Sequence, residues 1–295
     1  LVAGVMEGVG EPDLLVKGAA SPHDYTLRPS DAATLQRAKL VFWVGPGMEA
    51  FFTRPLGSLA SGARAVELSE ADGLTLLPFR EGGPFEAHSH GHGDDAHDAD
   101  DHDHEASGHD HEEEGHAGQD HGHEDMHFWL DPENGKVMVR AIEAALADVD
   151  PENASTYAAN AERLTARIDA LSADLATKLA DAKGKPFIVF HDAYQYFERR
   201  FGLTAAGSIT VSPETMPGAD RLTRIREKLT QSGAACVFAE PNFEPRLVNL
   251  VIEGTKARAG VLDPEGAALA AGPDLYFRLL EGLGSSIATC LDQAG

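Results

Sequence analysis

The sequence predicts an α/β fold of two Rossmann-like lobes with parallel sheets, joined by one long bridging helix. Three observations lead there. Short apolar runs alternate with helical stretches at both ends of the chain, the order expected of parallel strands covered by helices. A stretch from Glu152 to Ala182 places Leu164, Ile168, Leu171, Leu175 and Leu179 at spacings of three and four. That stripe marks a helix of roughly 46 Å at about 1.5 Å per residue, longer than a small domain is wide. Finally, 295 residues suit one large domain or two of ordinary size.

In the first lobe, residues 1–132, Asp13–Lys17 (DLLVK) and Leu40–Val44 (LVFWV) read as strands. Between them Pro29-Ser30-Asp31 opens a helix, with Ser30 as its cap and Leu35 on its apolar face. Met48–Ala60 reads as a second helix and Ala65–Leu68 as a short strand. Residues 81–125 then interrupt. They hold 16 of the 48 acidic side chains, none of the 24 basic ones and 11 of the 14 histidines. Without periodicity or large aliphatics, this segment reads as a disordered loop. A helical segment, residues 133–183, follows Asp131-Pro132 and contains the long helix, stopped by Gly184 and Lys185-Pro186. In the second lobe, residues 184–295, Phe187–Phe190, Ala235–Ala239 and Gly260–Leu262 read as strands. Ala193–Phe201, Ala219–Gln231, Pro245–Arg258 and Pro273–Cys290 read as helices.

The net charge of −24 excludes nucleic acid as a partner, because phosphate binding needs a positive footprint. It also disfavours an anionic membrane surface, and no run reaches the roughly 18 apolar residues that span a bilayer. Most of the charge is local, since the 250 residues outside 81–125 carry only −8. The chain starts at Leu1 with no signal peptide visible, as expected of either a mature secreted protein or a trimmed chain. Cys236 in an apolar strand-like run and Cys290 near the last helix form either one disulfide in an oxidising compartment or two buried thiols.

Three histidines lie outside the insert. His191 directly follows the strand FIVF, where ligands of open α/β sheets collect beyond the carboxyl ends of strands. His127 stands at the junction of loop and ordered chain in MHFWLDP, and His23 in a turn, SPHDYTLRPSD. A single histidine in such a place is more often structural than a ligand. Three at strand ends and loop junctions point to a metal site in the cleft between the lobes, since imidazole is a preferred zinc donor and three leave a fourth position open. Asp263, in GVLDPEG after a short strand, either fills that position or simply forms the turn before Pro264.

The segments SPHDYTLRPSD, LVFWVGPGMEAF, MHFWLDP, FIVFHDAYQYF and VFAEPNF…GVLDPEG resemble, in their order and over essentially the whole chain, the zinc substrate-binding proteins of bacterial ABC importers. These form the ZnuA type of the cluster A-I family. The acidic His-rich loop falls where zinc-specific members carry theirs. The resemblance implies metal ligands at His23, His127 and His191, with Asp263 or water fourth. Manganese-binding relatives usually carry Glu at the third position. His191 stands there in this chain, and a softer nitrogen donor favours zinc. Some zinc members carry a Glu before the first histidine, where this chain has Pro22. The resemblance further implies a Cys236–Cys290 disulfide and an N-terminus trimmed of the family's first strand. It also implies periplasmic location after removal of a signal peptide.

On this reading Zn2+ is the transported ligand, captured by a monomer and delivered to the membrane permease of an ABC importer, with a periplasmic zinc chaperone as a further partner. No nucleic acid and no direct membrane insertion are expected. His23 and His127 would come from one lobe and His191 and Asp263 from the other, so small lobe tilts could open the shell. Glu240, ending VFAE, is a candidate acceptor for a ligand N–H; its commoner fate is that of an exposed strand-end carboxylate. In the loop, His88, His90, His92, His97, His102, His104, His109, His111, His116, His121 and His123 are weak secondary metal ligands that would capture or sense zinc. The alternatives are a zinc hydrolase with an open three-histidine site, which lacks an HExxH helix to supply a base, and a surface adhesin or metal buffer.

Overall fold

A computed structural model of the chain describes residues 1–18, 20–80, 85, 124–210, 217–243 and 246–293. After α1 (Val2–Val5), the first lobe is built from α2 (Pro29–Leu35), β1 (Leu40–Trp43), α3 (Thr53–Leu59) and β2 (Arg64–Glu67). The two strands are parallel, with Leu40 opposite Arg64 and Trp43 opposite Glu67. Alternation along β1 sends Val41 and Trp43 to a small core with Leu35, Phe52 and Ala60, while Leu40 and Phe42 face the main core. A short antiparallel ladder follows, β3 (Leu77–Pro78) against β4 (Glu124–Asp125), with Leu77 opposite Asp125.

Four expectations for this lobe are corrected. DLLVK is not a strand. Its Leu15 packs on the small core, Leu14 is exposed, and Gly18 turns the chain at a positive φ of 62°. Ser30 does not cap α2. Pro29 occupies the first helical position, and Asp31 closes the end by accepting the Arg28 amide at 2.8 Å. The helix expected over Met48–Ala60 is a 3-10 turn, Ala50–Phe52, leading into the shorter α3. Glu124 and Asp125, expected to fall in the loop, instead form β4 and pair with β3. All eleven of the insert's histidines lie outside the described residues.

Turning the chain after β1 brings Glu49 back onto the strand end. Its Oε2 accepts the Val44 amide at 2.6 Å and the Gly45 amide at 3.3 Å. Burial pushes its carboxyl up to about 7, and the nearby Glu67 adds to the rise. A carboxyl raised from its ordinary 4.5 contributes its full stability below pH 4.5 and loses it as pH rises through 7. Glu49→Gln is therefore expected to stabilise the metal-free protein by about 2–3 kcal/mol at pH 8 and to change little at pH 4. Urea denaturation at the two pH values measures both; an equal effect at both contradicts the assignment.

Two helices follow β4 before the chain enters the second lobe. α4 (Pro132–Val149) begins at Asp131, whose carboxylate accepts the Glu133 amide at 2.9 Å and is clamped by Arg200 from the second lobe at 2.7 and 2.8 Å. α5 (Ala154–Lys178) is the long bridging helix, 25 residues or roughly 37 Å. It is shorter than the Glu152–Ala182 span expected, because both ends wind into 3-10 turns. Its stripe of Leu164, Ile168, Leu171 and Leu175 is buried. Near one end, Leu164 meets Gly4 of α1, and Asn160 donates to Val5 O and Glu7 O at 2.8 Å. Toward the other, Leu175 meets Gly284 so closely that any side chain there would collide. One continuous core runs along α5 from Phe128 and Ile142 to Phe187, Phe238 and Leu280.

The second lobe holds β5 (Phe187–Val189), α6 (Gln195–Phe201), β6 (Ala205–Ser208), α7 (Ala219–Ser232), β7 (Cys236–Ala239), α8 (Arg246–Ile252), β8 (Arg258–Val261) and α9 (Leu275–Asp292). The sheet is wholly parallel, in the order β6-β5-β7-β8. Ile188 and Val237 pack under Ile225 and Leu229 of α7 and Val248 and Val251 of α8, whereas Cys236 and Phe238 face the core shared with α9. α8 is shorter than the helix expected over Pro245–Arg258, because Gly254 turns the chain at φ 75° and Arg258 already belongs to β8. Connections leave β5 toward β6 on one side and β7 toward β8 on the other. The β5/β7 boundary is thus a topological switch point, where open sheets form crevices.

Cys236 of β7 and Cys290 of α9 form a disulfide, with Cα atoms 6.2 Å apart and a sequence separation of 54. Replacing both by Ser is expected to lower stability by about 2–4 kcal/mol through the freed unfolded chain, measured as a fall in the urea midpoint. No change would contradict that role.

Candidate metal centre

The switch point positions two side chains. His191 follows β5 and Glu240 follows β7, and their strands are neighbours. Imidazole Nδ1 of His191 lies 2.7 and 2.8 Å from the two Glu240 oxygens, and Tyr194 donates its hydroxyl to Glu240 at 3.1 Å. Glu240 is buried rather than the exposed strand-end carboxylate that is its commoner fate. Burial favours neutral His191, but the Glu240 carboxylate outweighs it and lifts the histidine's pKa.

His127 is held in the same way from the other side. It follows β4, whose Asp125 accepts both the His127 backbone amide at 3.0 Å and the ring Nδ1 at 2.7 Å. Burial pushes the Asp125 carboxyl up to about 6 against the pull of the His127 amide, Gln195 and Arg80. Tyr196 of α6 fastens this strand to the second lobe, donating to Asp125 O at 2.6 Å and accepting the Leu77 amide at 2.8 Å.

With each Nδ1 tied to a carboxylate, the Nε2 atoms of His127 and His191 face each other at 3.3 Å. Two imidazole nitrogens bound to one tetrahedral zinc at about 2.0–2.1 Å lie roughly 3.3–3.4 Å apart. His23 completes the group: its ring centroid stands 5.4 Å from that of His127 and 5.8 Å from that of His191. One ring nitrogen from each histidine falls within 4.8 Å of the other two. Carboxylates on the outer nitrogens fix tautomer and ring direction and strengthen the inner nitrogens as donors. The arrangement can hold a divalent ion with three imidazoles.

A family model described as "Zinc-uptake complex component A periplasmic", ZnuA, matches residues 1–290. The chain belongs to the ZnuA family. A protein of Brucella suis named high-affinity zinc uptake system protein ZnuA is 54% identical over 99% of this chain and 89% of its own length. A protein of the same name from Yersinia pestis is 38% identical over 99% of this chain and 87% of its own. A solved structure described as a crystal structure of ZnuA superposes with a TM-score of 0.76 at 23% identity, over 98% of this chain and 94% of that one. This last likeness speaks to the two-lobe fold.

Asp263, the fourth candidate of the ZnuA-type pattern, is not brought into the histidine group among the described residues. Its two oxygens accept the Ala267 and Ala268 amides, each at 2.9 Å, so it shapes the turn that carries it. Glu265, two residues on, comes nearer, with Oε1 3.8 Å from His23 Nε2. Sequence reasoning missed Asp125 and Glu265. Asp125 left a signal, a carboxylate two residues before a candidate ligand; Glu265 left none.

Beside the centre, Arg80 reaches from the root of the insert into the second lobe. It forks onto Asp192, the residue after His191, and onto Glu198 of α6 at 2.9 and 3.0 Å. Burial works against its charge, but the two carboxylates outweigh that and raise its pKa. The strand root bearing the insert is thereby tied to the loop bearing His191.

Proposed function

We propose that this chain captures Zn2+ in the periplasm with His23, His127 and His191 and delivers it to the membrane permease of an ABC importer. The observation that carries the reading is the convergence of three imidazoles, two of them aimed by buried carboxylates, at the spacing of zinc ligands. Membership of the ZnuA family, whose relatives are named for high-affinity zinc uptake, supplies the transport context. We divide the chain at residues 132 and 183, so His23 and His127 precede the bridging segment and His191 follows it. A small tilt between lobes would stretch the shell and release the ion, and the core shared along α5 opposes any larger hinge motion. The role assigned is binding rather than catalysis. The insert's histidines gather further zinc more weakly than the main site. Calorimetric titration with Zn2+ tests this: one tight equivalent with weaker ones after it, the weaker ones lost on deleting residues 88–123. Absence of a tight equivalent removes the reading.

A further inference from the structure

Three histidines leave a tetrahedral zinc one ligand short, and the carboxylate on the expected strand end, Asp263, is held by the amides of Ala267 and Ala268. Those two bonds close a tight turn over residues 263–268. The turn is fastened to the His127 segment, because Trp129 Nε1 donates to Pro264 O at 2.9 Å. Gly266 follows at φ 73°, with the space for a Cβ limited by Leu275 at 3.0 Å. The result is to point Glu265 inward. Its side chain is only 12% exposed, Asn242 donates to its Oε2 at 3.2 Å, and its Oε1 stands 3.8 Å from His23 Nε2.

We propose that Glu265 is the fourth zinc ligand, and that Asp263 is a positioning residue that presents it. The inference rests on the zinc-binding reading above. A nitrogen and an oxygen on one tetrahedral zinc, each at about 2.0–2.2 Å, lie roughly 3.3–3.5 Å apart, so from 3.8 Å the pair must close by only a few tenths of an ångström. Glu265 lies outside the group whose members are all within 4.8 Å of one another, so the ion must draw the carboxylate in. A partly buried carboxylate carries a desolvation cost that a divalent cation offsets. Oε1, which stands 3.8 Å from His23 Nε2, is the oxygen placed to ligate. The turn therefore closes the shell from the second lobe, opposite His23 and His127.

The test compares zinc affinity, by chelator competition, in the full chain and in Glu265→Gln and Asp263→Asn. Thermal unfolding of the metal-free proteins reports whether each variant folds. Glu265→Gln is expected to weaken zinc by at least about 10–100-fold, the loss that removing even a supporting partner brings. Its metal-free unfolding should match the parent. Asp263→Asn keeps the side-chain shape and is expected to lose less. Crystals of the zinc-loaded parent should place a Glu265 oxygen about 2.0–2.2 Å from the metal, which decides the matter even if a variant fails to fold. Water or Asp263 in the fourth position, or a folded Glu265→Gln within about threefold of the parent, overturns the proposal. Failure of the parent to bind zinc tightly would instead overturn the functional reading itself.

Discussion

His191→Ala is expected to abolish the tight zinc equivalent while leaving the weaker ones in place. The residue is 1% exposed, its Nε2 faces that of His127 at 3.3 Å, and Glu240 holds its other nitrogen. Removing it deletes one of three imidazoles and leaves the Glu240 carboxylate buried beside a void. Affinity should fall by more than the roughly 10–100-fold typical of losing a supporting partner. The insert's histidines lie elsewhere in the chain and should titrate unchanged. Calorimetry of the variant beside the parent checks both halves. A tight equivalent surviving the substitution contradicts the assigned ligand set.

Arg80→Ala is expected to destabilise the fold by about 3–5 kcal/mol, the loss that follows when one partner of a buried ion pair is removed. Asp192 and Glu198 are only 4% and 6% exposed, and the single guanidinium serves both. Glu198 additionally accepts the Ala205 amide at 2.8 Å, so the start of β6 loses its support with the pair. Lys at position 80 keeps the charge but not the planar fork and should recover only part of the loss. Because Asp192 adjoins His191, zinc affinity should fall as well. Urea denaturation of the metal-free proteins gives the stability term. A change below about 1 kcal/mol would show that the cluster does not hold the two lobes together.

What was legible in the sequence was whatever repeats or punctuates. The leucine stripe of α5 announced a buried helical face, and FIVF and CVFA announced central strands because both of their faces are buried. His23, His127 and His191 were legible as a group because each stands at a turn, a loop junction or a strand end. The strand Ala205–Ser208 was invisible, since Ala-Ala-Gly-Ser has no β-forming bulk and is placed by pairing with β5. DLLVK misled in the opposite direction: its residues look like a strand, but Gly18 turns the chain away at once.

The candidate site follows the same division. Glu240 could be nominated because it ends a strand, but only the adjacency of β5 and β7 makes it the partner of His191. Asp125 was absorbed into an acidic run where one carboxylate looks like the next, and pairing with Leu77 singles it out. Asp263 and Glu265 share one turn, and which of them looks inward depends on two backbone amides that no residue pattern records.

His23, His127 and His191 are expected to hold one zinc ion between them. An anomalous difference map at the zinc edge, from crystals of the protein loaded with one equivalent, tests it most directly. The expected result is one dominant peak about 2.0–2.1 Å from a ring nitrogen of each histidine, with Asp125 and Glu240 still on the outer nitrogens of His127 and His191. A dominant peak elsewhere, or one that any of the three histidines does not touch, would contradict it.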